Sequence, residues 1–213
     1  MFFEEYGKEN DRTIVMLHGA NFVHCFSKQY CLSDRFHIVV PHIMGYGKAA
    51  DRVFCAEEAC AELAEFVAGL GKRVLLVGFS LGAQLAFKLI SEHEELFLGA
   101  VIVSPWLIKE EPFLSKVLNL NLKQQKQFKS RFMCGLVATL NGLSGEQRGE
   151  FVEQMQLVSE ETVRNSVDNG ITLDSVPRFA EVTLPVVALC GGKEQDEVKN
   201  SVKAMAQNPG CRF

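Results

Sequence analysis

The stretch Val77-Gly78-Phe79-Ser80-Leu81-Gly82 (VGFSLG) decides how the rest of this 213-residue chain is read. It closes an apolar run, KRVLLV, and opens an amphipathic one, AQLAFKLI. A serine between two glycines at such a junction is a weak signal alone, since G-x-S-x-G arises by chance in roughly one chain of this length in ten. Its setting between a strand pattern and a helix pattern makes it specific. The glycines have a steric reason. A sharp strand-to-helix turn brings backbones close and strains the serine, so a Cβ on either flank would clash. The N-terminus of the following helix then lies beside the serine and favours developing negative charge.

Outward from this junction, short apolar runs alternate with helical patterns. Strands are predicted at residues 13–17, 36–40, 73–77, 100–103 and 186–189, each apolar on both faces and rich in β-branched residues, as in a parallel sheet covered by helices. Ala56, Ala59, Cys60, Leu63, Ala64 and Val67 make a core-facing helical stripe, ended by Gly69 and Gly71. Leu85, Ala86, Leu89 and Ile90 give the next helix its buried face. The alternation implies β-α-β units and a doubly wound, mostly parallel α/β sheet.

Residues 106–182 break this rhythm. The segment shows no strand pattern and is rich in Lys, Gln and Glu with scattered Leu, Phe and Met. Ser144 to Gln147 forms a capping box, and Ser159 caps another helix with Glu160 and Glu161 in its first turn. The chain therefore divides into a core, 1–105 and 183–213, and a helical insertion at 106–182. An insertion there is placed to cover a site at the carboxyl ends of the strands as a lid; packing helices without a gating role are the alternative.

A second motif accompanies the serine. Leu17-His18-Gly19-Ala20 (LHGA) follows an early strand. A glycine turn there can aim the Ala20 N–H at Ser80, to form an oxyanion hole with the Leu81 N–H. Asn21 adds a side-chain amide nearby, and His18 is expected to hold the loop by hydrogen bonds.

With LHGA at 17–20, VVPHIMGYG at 39–47, VGFSLG at 77–82 and LPVVALCGGKE at 184–194 in this order, the chain resembles the α/β-hydrolase superfamily over nearly its whole length. The resemblance implies a serine hydrolase that cleaves an ester, thioester or related bond of a small molecule, and the Leu, Phe and Met of the insertion suggest an apolar acyl or ring group in it. Ser80 matches the nucleophile that forms an acyl-enzyme, Ala20 and Leu81 match the oxyanion positions, and Asn21, Phe79 and Trp106 are the expected substrate contacts. The acid of the family lies in a turn after the late strand. Gly191-Gly192-Lys193-Glu194 puts Glu194 there, with Asp196 as the fallback. Its task is to hold an imidazole in the right tautomer. The alternative is that both acids belong to a solvated run, KEQDEVK.

The chain departs from the family at the base. Its five histidines are His18, His24, His37, His42 and His93, and none follows Glu194, whereas the expected order is serine, acid, histidine. Three readings follow: a truncated hydrolase whose histidine lies beyond this sequence, a non-catalytic relative that binds a small ligand, or substitution by another histidine. His42 replaces the aspartate of the P-D-x-x-G-x-G loop, and His24 lies in the loop after the oxyanion turn. His37 and His93 are expected to be structural.

Composition bounds the rest. The chain is 47% hydrophobic and 23% charged with a formal net charge of -4, which gives no electrostatic reason to expect nucleic acid or an anionic membrane as partner. The seven cysteines form no C-x-x-C pair, as expected of free thiols in a reducing cytosol. The acidic N-terminus is not that of a signal peptide, and no apolar run is long enough to span a bilayer. A cytoplasmic protein needing no metal or organic cofactor is expected. The strand at 186–189, next to the start of a last strand at Cys211, is expected to leave an apolar edge through which copies associate.

Overall fold

The computed structural model describes residues 1–20 and 22–212. Seven strands form one sheet in the order β1-β3-β2-β4-β5-β6-β7. These are β1 (Phe3–Tyr6), β2 (Thr13–Leu17), β3 (His37–Pro41), β4 (Val74–Phe79), β5 (Phe97–Val103), β6 (Val186–Leu189) and β7 (Cys211–Arg212). All neighbours are parallel except β1, which runs antiparallel along β3 with Glu4 opposite Val40. The sequence reading missed β1, because FEEY carries two acids and no β-branched residue; backbone pairing to an edge makes it a strand.

One face of the sheet is packed by α1 (Ala56–Gly69), α2 (Leu81–Glu92) and the insertion. The six apolar residues predicted as the buried stripe of α1 are its buried residues. Gly71 follows the end of α1 with φ +68°, a conformation that L-residues with a Cβ reach only at a cost. The other face is narrower. Segment 23–34, a run of 3-10 turns, packs Val23 and Phe26 onto Ile14, Met16, Ile38 and Val40. Over β6 that face is open, with Val187 and Leu189 exposed. The expectation of strands covered on both sides therefore holds fully for β2 and β3 only. The edge beside β6 is also less bare than expected, since β7 pairs Cys211 with Val186 and Arg212 with Val187.

The segment between β5 and β6 is helical, with α3 (Phe113–Phe128), α4 (Arg131–Leu140), α5 (Gly145–Leu157) and α6 (Glu160–Val167). Ser159 caps α6 as expected, its hydroxyl accepting from the Thr162 N–H at 3.0 Å. Ser144 occupies the N-cap position of α5 but makes no side-chain cap bond, so the expected capping box is not formed. Polar contacts tie α6 to the core: the Phe54 N–H donates to Thr162 Oγ1 at 3.2 Å and the Tyr46 hydroxyl to Ser166 Oγ at 2.7 Å. α7 (Asp196–Met205) follows β6 and buries Val202 and Met205 against the same core.

Candidate active site

Ser80 stands between β4 and α2 with φ +52° and ψ -112°, a strained backbone for a residue with a side chain. Its N–H donates to Val103 O at 3.0 Å, and its carbonyl accepts the first bonds of α2 from Ala83 and Gln84. Both flanking glycines are sterically required. A Cβ on Gly78 would lie 2.4 Å from Gly82 O, and one on Gly82 would lie 2.1 Å from Leu17 O. Close approach between the turn and the end of β2 is what the two glycines permit. It brings the LHGA loop onto the serine: a Cβ on Gly19 would lie 3.4 Å from Ser80 Cβ. Leu81 is the first residue of α2, so its N–H has no acceptor within the helix and remains available at the serine.

His18 is fully buried and holds this loop, as expected. The Ile43 N–H donates to its Nε2 at 3.0 Å, so the proton sits on Nδ1, which donates to Gly19 O at 2.8 Å. Burial pushes its pKa down to about 3, so the ring is neutral and both nitrogens are committed to backbone groups.

Glu194 closes a turn, its N–H donating to Gly191 O at 3.0 Å. Together with Ser80, Phe79, Ser104, Trp106, Phe113, Val117 and Val198 it lines one cavity of roughly 290 Å³ at the carboxyl ends of β4, β5 and β6. Ser104 is the residue that sequence reading passed over. It follows β5 with φ +51°, its N–H donates to Leu189 O at 2.7 Å, and its hydroxyl donates to Glu194 Oε1 at 2.8 Å. The left-handed backbone of Ser104 could not be read from Ser-Pro-Trp, and it aims the hydroxyl at the carboxylate. Trp106 donates its Nε1–H to Ile108 O at 2.6 Å and packs edge-on to Phe113. The fallback acid, Asp196, is exposed, pairs with Lys199 at 3.5 Å and does not line this cavity. As the first residue of α7 it caps charge at a helix N-terminus. Asn21 lies outside the described residues.

Among the described residues no histidine lines the Ser80 cavity. The two candidates for substitution, His24 and His42, meet elsewhere, at the β1 side of the sheet. His42 Nδ1 accepts from the Lys48 N–H at 2.8 Å, so Nε2 carries the proton and faces Glu4 Oε1 at 3.6 Å. His24 Nε2 bonds Glu150 Oε2 of α5 at 3.0 Å, and its Nδ1 lies 3.8 Å from Glu4 Oε2. His42 first, with Tyr6 and His24 adding to it, holds the Glu4 carboxyl down at about 2 against the opposing effect of burial. Donor atoms of Glu4, His24 and Glu150 lie within 4.8 Å of one another, a grouping that no local spacing in the sequence marks. The His24–Glu150 hydrogen bond and the approach of His24 and His42 to Glu4 account for it as it stands. His37 bonds Glu5 at 3.0 Å and His93 lies by Glu95, both away from the cavity, as expected. Among the described residues the cysteines are free, and burial raises the Cys60 thiol to about 12 and Cys25 to about 11.

Comparison with solved structures finds the same fold in known hydrolases. A thermophilic esterase from Thermogutta terrifontis superposes with a TM-score of 0.72 at 18% identity, over 100% of this chain and 82% of that one. An esterase from Exiguobacterium antarcticum gives 0.73 at 18% identity, over 99% and 84%. An alpha/beta hydrolase from Sphaerobacter thermophilus gives 0.69 at 16% identity, over 100% and 86%. At these identities the likeness shows the fold. Comparison with curated proteins finds no match. The sequence model of the alpha/beta hydrolase family matches residues 14–213, which spans the serine turn, the LHGA loop, the insertion and the Glu194 turn, and the chain belongs to that family.

Proposed function

We propose that the chain carries the nucleophile and acid of a serine hydrolase acting on an ester- or thioester-type bond of a small apolar molecule. The observation that carries this reading is the single cavity lined by both Ser80 and Glu194. Ser80 attacks the carbonyl carbon and its proton passes to an imidazole held by Glu194. The Leu81 and Ala20 N–H groups take the developing oxyanion, the C–O or C–S bond breaks as the imidazolium protonates the departing alcohol or thiol, and water then hydrolyses the acyl-enzyme to release the acid. Ser104 holds the Glu194 carboxylate in place. Phe79, Trp106, Phe113, Val117 and Val198 make the walls apolar, which suits an acyl chain or ring. The helices from α3 onward act as a lid, α3 lending Phe113 and Val117 to the cavity wall.

The base is the weak point, because no described histidine reaches this cavity. Activity of the described residues is accordingly impaired in this reading unless an imidazole is supplied to the cavity. The same observation favours a second reading, a non-catalytic protein that binds a small apolar ligand there. Turnover of short-chain p-nitrophenyl esters and thioesters separates the two. The hydrolase reading expects slow turnover that added imidazole accelerates above its own background, abolished in Ser80→Ala and reduced at least tenfold in Glu194→Gln. Saturable ester binding without turnover, with or without imidazole, would establish the binder instead.

A further inference from the structure

Helix α4 has the wrong surface for a helix facing water. Its inner side buries Cys134, Gly135 and Ala138. Its outer side carries Phe132, Met133, Leu136 and Leu140, exposed by 78, 36, 44 and 77%. The spacing of Phe132, Leu136 and Leu140 puts them in one row, so α4 is apolar on both sides, although only one side is covered. Leu157, at the end of α5, and Leu120, on α3, are also exposed, by 58 and 64%.

The stretch of sequence through α3 and α4 is one-sided in charge as well. Between Glu111 and Glu146 lie five basic residues, Lys116, Lys123, Lys126, Lys129 and Arg131, and no acidic one. The whole chain has 22 basic and 26 acidic residues, so the remainder is negative by nine. All five cations are exposed. Lys129 donates to the Gln156 and Val158 carbonyls at the end of α5. Arg131 opens α4, where the helix dipole disfavours a cation, so its place there is not explained by helix stability. Arg131 and Arg148 also line a shallow groove between α4 and α5, shared with Glu153.

An exposed apolar helix face flanked by lysine and arginine, in a stretch of sequence that holds no acid between Glu111 and Glu146, has the composition of an interfacial helix. We propose that α4 is a membrane-surface element that lays Phe132, Met133, Leu136 and Leu140 into the headgroup and acyl boundary of an anionic lipid bilayer, with the cations of α3 and the start of α4 at headgroup level. Charge complementarity selects the occupant. A second copy of this chain brings its own net negative charge but no concentrated anionic plane, whereas an anionic leaflet presents one against which each lysine or arginine adds affinity. Long cationic side chains reach such a surface from the flanks of a helix. The inference does not depend on chemistry at Ser80.

The test is co-sedimentation of the full chain with vesicles of phosphatidylcholine alone and of phosphatidylcholine with about 30% phosphatidylserine, at low and at 0.5 M salt. The expected result is binding to the anionic vesicles that weakens about tenfold or more in high salt. Phe132→Gln with Leu140→Gln is expected to weaken binding at least tenfold while leaving the melting temperature within about 2 °C, since both side chains lie in water. Lys123→Gln with Lys126→Gln, which leaves the apolar row intact, is expected to erase the preference for phosphatidylserine. Three results would overturn the proposal. One is no binding to either vesicle, and another is binding unchanged by the Phe132 and Leu140 substitutions. The third is a dimer in sedimentation velocity that those substitutions dissociate without any vesicle binding, which assigns the face to a second copy.

Discussion

Gly82→Ala tests the claim that the serine turn exists only because two backbones touch. An alanine Cβ there would sit 2.1 Å from Leu17 O, 2.5 Å from Leu17 C and 2.6 Å from His18 O, where ordinary contact begins near 3.4 Å. The obstructing atoms are backbone at the end of a fully buried strand, so none can rotate away, and either β2 or the first turn of α2 must move by about 1 Å. Overpacking a core costs about 1–3 kcal/mol, and a rigid backbone obstacle belongs at the top of that range. The better helix propensity of alanine returns up to about 1 kcal/mol. The net loss is about 2–3 kcal/mol, or a fall in melting temperature of about 4–12 °C for a chain of this size. Gly149→Ala is the control: it lies within α5, and a Cβ there meets nothing within 4 Å. It is expected to stabilise by about 0.5–1 kcal/mol, raising the melting temperature by about 1–4 °C. Thermal and urea unfolding of both variants decide the matter. A Gly82→Ala protein that melts within 1 °C of the wild type would refute the steric account of the turn.

Three further outcomes follow from the same contacts. His18→Ala strips partners from the buried Gly19 carbonyl and Ile43 N–H and is expected to cost about 2–4 kcal/mol in urea unfolding, while His93→Ala, at an exposed site, costs less than about 0.5 kcal/mol. Glu4 has a folded-state pKa of about 2, below its ordinary 4.5, so its stabilising effect is present above pH 4.5 and is lost as pH falls toward 2. Substituting His42 with glutamine is expected to move this acid transition to higher pH, and an unmoved transition would remove His42 as its main cause. Ser104→Ala removes the hydroxyl donor to Glu194 and is expected to reduce imidazole-assisted ester turnover about tenfold with the substrate KM little changed, whereas equal losses in kcat and KM would make Ser104 merely structural.

Much of the architecture was legible in local sequence. The strands at 13–17 and 186–189 and the stripe of α1 agree with the structure, because short β-branched runs and a 3.6-residue apolar period have few other uses. The serine turn was legible because its glycines leave a local mark. What could not be read depends on distant partners. β1 is a strand only because β3 offers it an edge. The Glu4, His24, His42 and Glu150 grouping joins segments up to 146 positions apart in the numbering of residues 4 and 150. Ser104 was passed over because its role comes from a left-handed backbone and from Glu194, 90 residues away. The net charge of -4 is an average, and it does not show the stretch between Glu111 and Glu146, which holds five cations and no acid.

Labelling with a fluorophosphonate probe tests most directly whether Ser80 is built as a nucleophile. The folded chain is incubated with the probe with and without imidazole, and the modified residue is located by peptide mass spectrometry. The expected result is a phosphonyl adduct on Ser80 that forms faster with imidazole and is absent from Ser80→Ala. A folded chain that never acquires an adduct at Ser80 under either condition would contradict the account.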